Sequence, residues 1–453
     1  MNPDYWLQTL TLNNYRCFDR LEVALDRHLT VLVADNGVGK TSVLDATSIA
    51  LSAFVGAFHH GRRFGIDRGD VRLAKMPGDI LQMESQYPCV LEATGLFDSE
   101  PVAWQRRMNT PNSANTYKEA NDLIAIGKEL QRRVSDEEQS ETSLLPVIAF
   151  YGTGRLWNEK KVTGNKSKKA DTYARTSAYL DCLDPSSSYK YFVEWFRFTT
   201  MAHREIRDQN EQRLGLRGLE MSTPYAELLE GVSRAVDTCL QHTGWQGLRY
   251  SSIHNAPVVN HPELGILEVG QLSDGLRNMV ALVADLAYRA TRPNPHFKAA
   301  APQQSPGIVL IDEIDMHLHP AWQQQVLQQL RTAFPQFQFI VTTHSPQVLS
   351  SIHSEQIRLL GKNADGDFVA AQPVAQSYGR SNADVLQGVM HIEPIPPVDE
   401  SALLNDYQQW VEQGVLSDTA GVEMATKLKA SLGEDHPELV RLAMVKRRRE
   451  RLG

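Results

Sequence analysis

Near the start of the chain Leu10 and Leu12 alternate with Thr9 and Thr11, and Leu21, Val23 and Leu25 alternate with polar or small residues. A period of two sends successive side chains to opposite faces of a strand, so both stretches predict half-buried strands. Residues 29–33 are apolar but for Thr30, the pattern of a strand covered on both faces. Directly behind it, Ala34-Asp35-Asn36-Gly37-Val38-Gly39-Lys40-Thr41 leads into 42–51, where Val43, Leu44 and Ile49 line one helical face. The order is strand, glycine-rich turn, helix.

Residues 110–143 are polar and charged, helical in tendency and without the sustained heptads of a long coiled coil, which predicts an inserted lid. An apolar strand at 146–151 then ends in Gly152-Thr153-Gly154-Arg155, followed by a loop carrying Lys160, Lys161, Lys166, Lys168 and Lys169. A second helical insertion covers roughly 188–243. Alternating strands and helices resume with Leu272-Ser273-Asp274-Gly275-Leu276-Arg277 opening a helix, an apolar strand at 308–311, a helix starting at Pro320 and a strand at 337–343. That alternation implies an α/β fold with a mixed, mostly parallel sheet. Beyond Asp399 the chain reads as helical and acid-rich before the basic end Lys446, Arg447, Arg448, Arg449, Arg451. Four segments follow: a first lobe at 1–109, a largely helical insertion at 110–264, a second lobe at 265–375 and a helical C-terminal segment at 376–453.

Composition narrows the class. Of 453 residues, 42% are apolar and 22% charged, with 29 Gly and 22 Pro, which excludes a disordered or fibrous chain. The 46 basic and 54 acidic residues leave a net charge of −8, so any polyanion site has to be built locally. Cys17, Cys89, Cys182 and Cys239 lie far apart, with no pairing that suggests zinc or a disulfide framework, and read as thiols of a reducing compartment. No secretory pattern opens the chain, and no run reaches the roughly 18 apolar residues of a membrane span, so the cytoplasm is the expected location.

The segment Ala34 to Thr41 meets the phosphate-binding loop pattern at every demanding position except the first, where Ala34 replaces glycine. Gly37 and Gly39 let the backbone N–H groups of Asn36, Gly37, Val38 and Gly39 converge on phosphate oxygens at a helix start that continues through Ser42. Lys40 would reach the β- and γ-phosphates of ATP, and Thr41 would offer its hydroxyl to Mg²⁺. Ile308-Val309-Leu310-Ile311-Asp312-Glu313 places two acids at the carboxyl edge of a buried parallel strand, where ligands bind in such sheets. Asp312 would hold Mg²⁺ through water, and Glu313 would polarise the attacking water.

The Leu272 to Arg277 segment cannot serve the same nucleotide as Lys40, and it resembles the signature motif of ABC-type ATPases. That resemblance implies two nucleotides sandwiched between two heads of a homodimer or higher oligomer, with Ser273 and Gly275 capping the γ-phosphate held by the opposite subunit. It also implies that His344, in His344-Ser345-Pro346, is the switch histidine, and that Asp315 belongs to the loop crossing the dimer seam. Asn13-Asn14-Tyr15-Arg16-Cys17-Phe18, the long insertion and His317-Leu318-His319-Pro320 resemble the RecF, SMC and OLD-type branch, and the spacing of His317 and His319 reads as a packed turn more than a metal pair. The stretch Val147-Ile148-Ala149-Phe150-Tyr151-Gly152-Thr153-Gly154-Arg155-Leu156-Trp157 and the triplet Tyr378-Gly379-Arg380 are similar to PtuA ATPases of Septu and retron-associated anti-phage systems. This implies an HNH nuclease partner of the PtuB kind and, in some systems, a reverse transcriptase with its DNA–RNA hybrid.

Two other readings stay open: a RecF-like DNA-repair ATPase without a nuclease, and an OLD-like intrinsic nuclease using Asp365-Gly366-Asp367. The latter triplet lies between short, mainly apolar runs at 357–360 and 368–371, which predicts a hairpin turn. The lysine-rich loop and the basic end are candidate nucleic-acid contacts, and the C-terminal segment is a candidate docking arm. The Mg²⁺-sensing glutamine is left among Gln82, Gln86 and Gln105.

Overall fold

A computed structural model describes residues 3–76, 82–113, 115–154, 174–185, 189–214, 223–393, 398–413 and 419–452. The lysine-rich loop, and with it Arg155, Leu156 and Trp157, lies outside the described residues. In chain order the strands are Trp6–Tyr15 (β1), Phe18–Ala24 (β2), Leu29–Val33 (β3), Leu73–Lys75 (β4), Met83–Ser85 (β5), Cys89–Phe97 (β6), Glu100–Met108 (β7), Val147–Tyr151 (β8), Gln246–Ser251 (β9), Ala256–His261 (β10), Gly265–Glu268 (β11), Gly307–Ile311 (β12), Phe337–Thr342 (β13), Ile357–Lys362 (β14) and Phe368–Ala371 (β15).

Six of them build the central sheet in the order β15-β14-β3-β13-β12-β8. All its pairings are parallel except the β14–β15 hairpin at one edge. An antiparallel sheet, β2-β1-β6-β7, lies over one face. The helix Lys40–Val55 fills the space between the two sheets, which is why it is apolar nearly all round and buries thirteen of its residues, from Lys40 to Val55. Alternation along the parallel strands divides the interior. Leu32, Ile148, Phe150, Ile308, Leu310 and Ile340 face that helix, while Val31, Val33, Val309, Ile311, Phe339 and Val341 face the helices Asp274–Thr291 and Val326–Ala333. Each such fully buried aliphatic or Phe side chain contributes about 1.5–3 kcal/mol of transfer free energy.

Two segment boundaries change. The expected insertion at 110–264 contains helices at Asn121–Ser135, Lys190–Leu214 and Pro224–Leu240, but β8 inside it is an edge strand of the central sheet. All five of its residues are buried, and pairing with β12 satisfies their backbone groups, so the stretch cannot ride outside the core. The three-stranded sheet β11-β10-β9 likewise crosses the expected 264/265 boundary. Residues 376–390, expected in the C-terminal segment, belong to the first compact unit, Met1–Met390: Val385 and Val389 join its core.

The second unit, His391–Gly453, carries the helices Ser401–Gln413, Thr419–Leu432 and Pro437–Leu452. Its own small core holds Leu404, Tyr407, Val411, Leu428, Leu439 and Leu442. Among the described residues no helix is long and apolar enough to cross a membrane.

Candidate functional site

Strands β3, β12 and β13 are parallel neighbours, so their carboxyl ends open on one edge of the sheet. β3 runs into the glycine-rich loop, β12 ends at Asp312 and Glu313, and β13 leads through Thr343 to His344. The loop needs its glycines for different reasons. Gly37 has φ +82° and open space where a Cβ would stand, whereas Gly39 has φ +107° and a Cβ there would lie 2.6 Å from the Phe18 ring and 2.7 Å from the Cys17 sulfur. Such backbone is accessible to glycine at no steric cost. Lys40 Nζ folds back on the loop, donating to the carbonyls of Ala34 at 2.9 Å and Asp35 at 3.4 Å. Burial pulls its ammonium below the usual lysine range, opposed by the charges of Glu313, Asp312, Asp35 and Asp315. Those four carboxylates therefore share one electrostatic neighbourhood with Lys40.

Thr41 Oγ1 donates to Asp312 Oδ2 at 2.9 Å, joining the loop to the end of β12. The other oxygen, Asp312 Oδ1, accepts from Thr342 Oγ1 at 2.6 Å, and the same threonine oxygen accepts from the Glu313 N–H at 2.7 Å. Asp312 is 3% exposed, so these donors fix a buried carboxylate. Glu313 itself is only half-buried and has φ +47°, a left-handed conformation that costs a non-glycine residue about 1–2 kcal/mol. Asp315 accepts from Thr343 Oγ1 at 2.5 Å, which ties the turn after β12 to the residue before His344. His344 is half-buried at this edge.

Ser273 is exposed at the start of the helix Asp274–Thr291. Its carbonyl accepts from the Arg277 N–H at 2.8 Å, and its side chain makes no cap bond. Gly275 is buried, and a Cβ there would stand 2.4 Å from the His317 carbonyl oxygen. The helix Asp274–Thr291 thus leans on the turn that follows the acids, and no hydrogen bond among the described residues links Ser273 to the glycine-rich loop. His319 is a helix cap, its Nδ1 accepting from the Ala321 N–H at 3.3 Å. Asp365 and Asp367 lie in the β14–β15 turn, where both backbone N–H groups donate to Asn363 Oδ1. Gln105 is paired with Glu92 at 2.8 Å on β6, and Gln82 and Gln86 bond to Glu84.

Sequence reasoning missed Thr342 and Thr343; two hydroxyl residues before a histidine were the signal available. It also missed the brace behind the loop. Arg16, at the β1–β2 turn, bonds Asp45 at 2.5 Å and Asp70 at 2.9 Å, and Cys17 Sγ donates to the Val38 carbonyl at 3.5 Å.

The donor set suits both a nucleotide and a divalent ion. N–H groups at a helix start fit phosphate oxygens, and a hydroxyl beside a carboxylate is the hard oxygen pair that Mg²⁺ takes together with phosphates. The AAA domain family matches residues 9–212, and a second AAA-domain match covers 200–350. The chain is 28% identical to "Retron Ec83 probable ATPase" of Escherichia coli, over 96% of this chain and 85% of that one. Its likenesses are those of an ABC-type ATPase of the RecF, SMC and OLD branch. This ATPase is also 36% identical to the Septu protein PtuA of Bacillus mycoides (strain KBAB4), over 24% of its own length and 14% of that protein. A further partial likeness, 30% identity over 32% of the ATPase and 40% of the relative, is to the DNA replication and repair protein RecF of Oceanobacillus iheyensis (strain DSM 14371 / CIP 107618 / JCM 11309 / KCTC 3954 / HTE831).

Proposed function

We propose that this ATPase is the nucleotide-driven switch of an anti-phage defence complex, using ATP-dependent pairing of two heads to regulate a partner HNH nuclease of the PtuB kind. The observation that carries the switch is the Thr41–Asp312 bond, because it brings the phosphate loop and the strand-end acids to one point. The extended likeness to a retron ATPase and the shorter one to a Septu protein support the defence setting.

In this reading the N–H groups of Asn36, Gly37, Val38 and Gly39 cradle the phosphates of ATP, with Ser42 continuing the helix start behind them. Lys40 leaves its loop carbonyls for the β- and γ-phosphates. Thr41 and Asp312 hold Mg²⁺, which when bound neutralises charge on the phosphates. Glu313 accepts a proton from the attacking water, and His344 donates a hydrogen bond toward the γ-phosphate side. Ser273 and Gly275 present their helix start, and Asp315 its carboxylate, to the nucleotide of the opposite head. A homodimer is the minimum assembly. A reverse transcriptase with its DNA–RNA hybrid is a further partner of the retron form of the complex.

The test is Glu313→Gln in the full chain. It should bind ATP as the parent does, lose turnover by about 10²-fold or more and accumulate closed dimers in size-exclusion chromatography. Turnover at the parental rate would overturn the assignment of the base. Expression from the native genetic neighbourhood should bring an HNH protein through purification. The RecF likeness favours a second reading, a repair ATPase; a chain that purifies alone and binds duplex DNA in a salt-sensitive manner would establish it instead.

A further inference from the structure

At the opposite edge of the central sheet, where β3, β13 and β14 begin, lies an open cleft of about 460 Å³. It is one strand length, roughly 17–20 Å, from the phosphate loop, so it is separate from the nucleotide site and does not depend on the reading of that site. Its floor is apolar, with Leu29, Phe337 and Ile352 buried. Its rim carries His28, Arg331, His353 and Tyr378, and among the described residues no carboxylate lines it. In a chain of net charge −8 that leaves Arg331 as the one charged side chain among the described lining residues, beside an aromatic surface.

The aromatic part is held firmly. Tyr378 stacks on His353 with ring centroids 4.4 Å apart and planes 20° apart, yet remains 56% exposed, so its outer face is open. Its loop is pinned from behind: Ser377 Oγ donates to the Ile352 carbonyl at 2.6 Å, and the Gly379 N–H donates to the Ser350 carbonyl at 2.9 Å. Gln376 Oε1 accepts from the N–H groups of Ser354, Ser377 and Tyr378. Gly379, at φ +71°, makes the turn that presents the tyrosine. Arg331 is exposed on the last turn of Val326–Ala333 and has no hydrogen bond or ion pair among the described residues.

We propose that this cleft binds single-stranded nucleic acid, one base stacking on the open face of Tyr378 while Arg331 contacts an adjoining phosphate. A preorganised aromatic platform beside a guanidinium, with no carboxylate among the described lining residues, is the combination that holds a strand without reading its sequence. It also gives a role to the Tyr378-Gly379-Arg380 triplet, which lies outside the ATP chemistry.

The experiment uses the full chain without ATP or Mg²⁺ and a fluorescein-labelled oligothymidylate, read by anisotropy across a salt series. Tyr378→Ala should weaken binding at least about fivefold while Tyr378→Phe keeps it, because the ring and not the hydroxyl stacks. Arg331→Ala should weaken binding and lower the salt slope by about 0.7, the share of one phosphate contact on a single strand. Both side chains are exposed, so unchanged thermal midpoints will show that the variants are folded. Several results would overturn the proposal: no binding by the parent chain at low salt, unchanged binding in both alanine variants, or equal binding of a blunt duplex. Competition by free thymidine monophosphate at the same nucleotide concentration would also overturn it, reassigning the cleft to a mononucleotide.

Discussion

At Gly39 two demands meet in one residue. Its φ of +107° is open to glycine alone at no cost, and the space beside it is already taken by Phe18 and Cys17 from the β1–β2 turn. Gly39→Ala should therefore cost about 1–3 kcal/mol in chemical denaturation and weaken nucleotide binding at least tenfold, checked by titration calorimetry. Normal binding in that variant would show that the loop tolerates retreat of the turn. Thr342 makes the complementary case. Its hydroxyl serves Asp312 and Glu313 at once, so Thr342→Val removes a donor from a buried carboxylate and an acceptor from a backbone N–H, at about 1–3 kcal/mol. Turnover should fall in that variant while Thr342→Ser restores it, as steady-state phosphate release will report.

Among the elements, the helix Asp274–Thr291 is tied to the sheet by a buried charged triad. Tyr151 at the end of β8 donates to Asp285 at 2.7 Å, and Arg289 bonds the same oxygen at 2.8 Å and the Ala178 carbonyl at 2.6 Å. Burial and the Asp285 charge push the Tyr151 phenol well above its ordinary value. Burial alone would lower Arg289, but the charge of Asp285 beside it raises it, so the guanidinium stays charged. Asp285→Ala should cost about 3–5 kcal/mol by stranding the guanidinium, and the double change Asp285→Leu with Arg289→Met should recover much of that in urea unfolding. None of this was visible in the sequence. The glycine-rich loop, the Asp312-Glu313 strand end and the turn at 363–367 were legible because phosphate chemistry and tight turns dictate both residue type and spacing. Thr342 and Tyr151 were not, because a hydroxyl announces no partner until the strand order sets β13 and β8 on either side of β12. The same blindness left β8 inside a supposed lid: its apolar run was readable as a strand, its pairing with Gly307–Ile311 was not.

As a whole molecule the chain divides after Met390, and each unit has a core of its own. A chain ending at Met390 should unfold in one cooperative transition and retain ATP binding, since every residue named in the nucleotide site lies before that point. In the proposed complex it should fail to retain the nuclease, as a pull-down will report; retention would move the docking surface onto the head. The sheet order has a consequence for how the protein is made. Leu29 finds its neighbours only in Phe339 on one side and, through Val31, in Ile357 on the other. At 5–20 residues per second, the ribosome spends roughly 15–60 s between releasing the first central strand and releasing the strands that flank it. Until β13 is in place the glycine-rich loop is not aligned with Asp312 and Glu313, so the site proposed for ATP is assembled only when synthesis of the head is nearly finished.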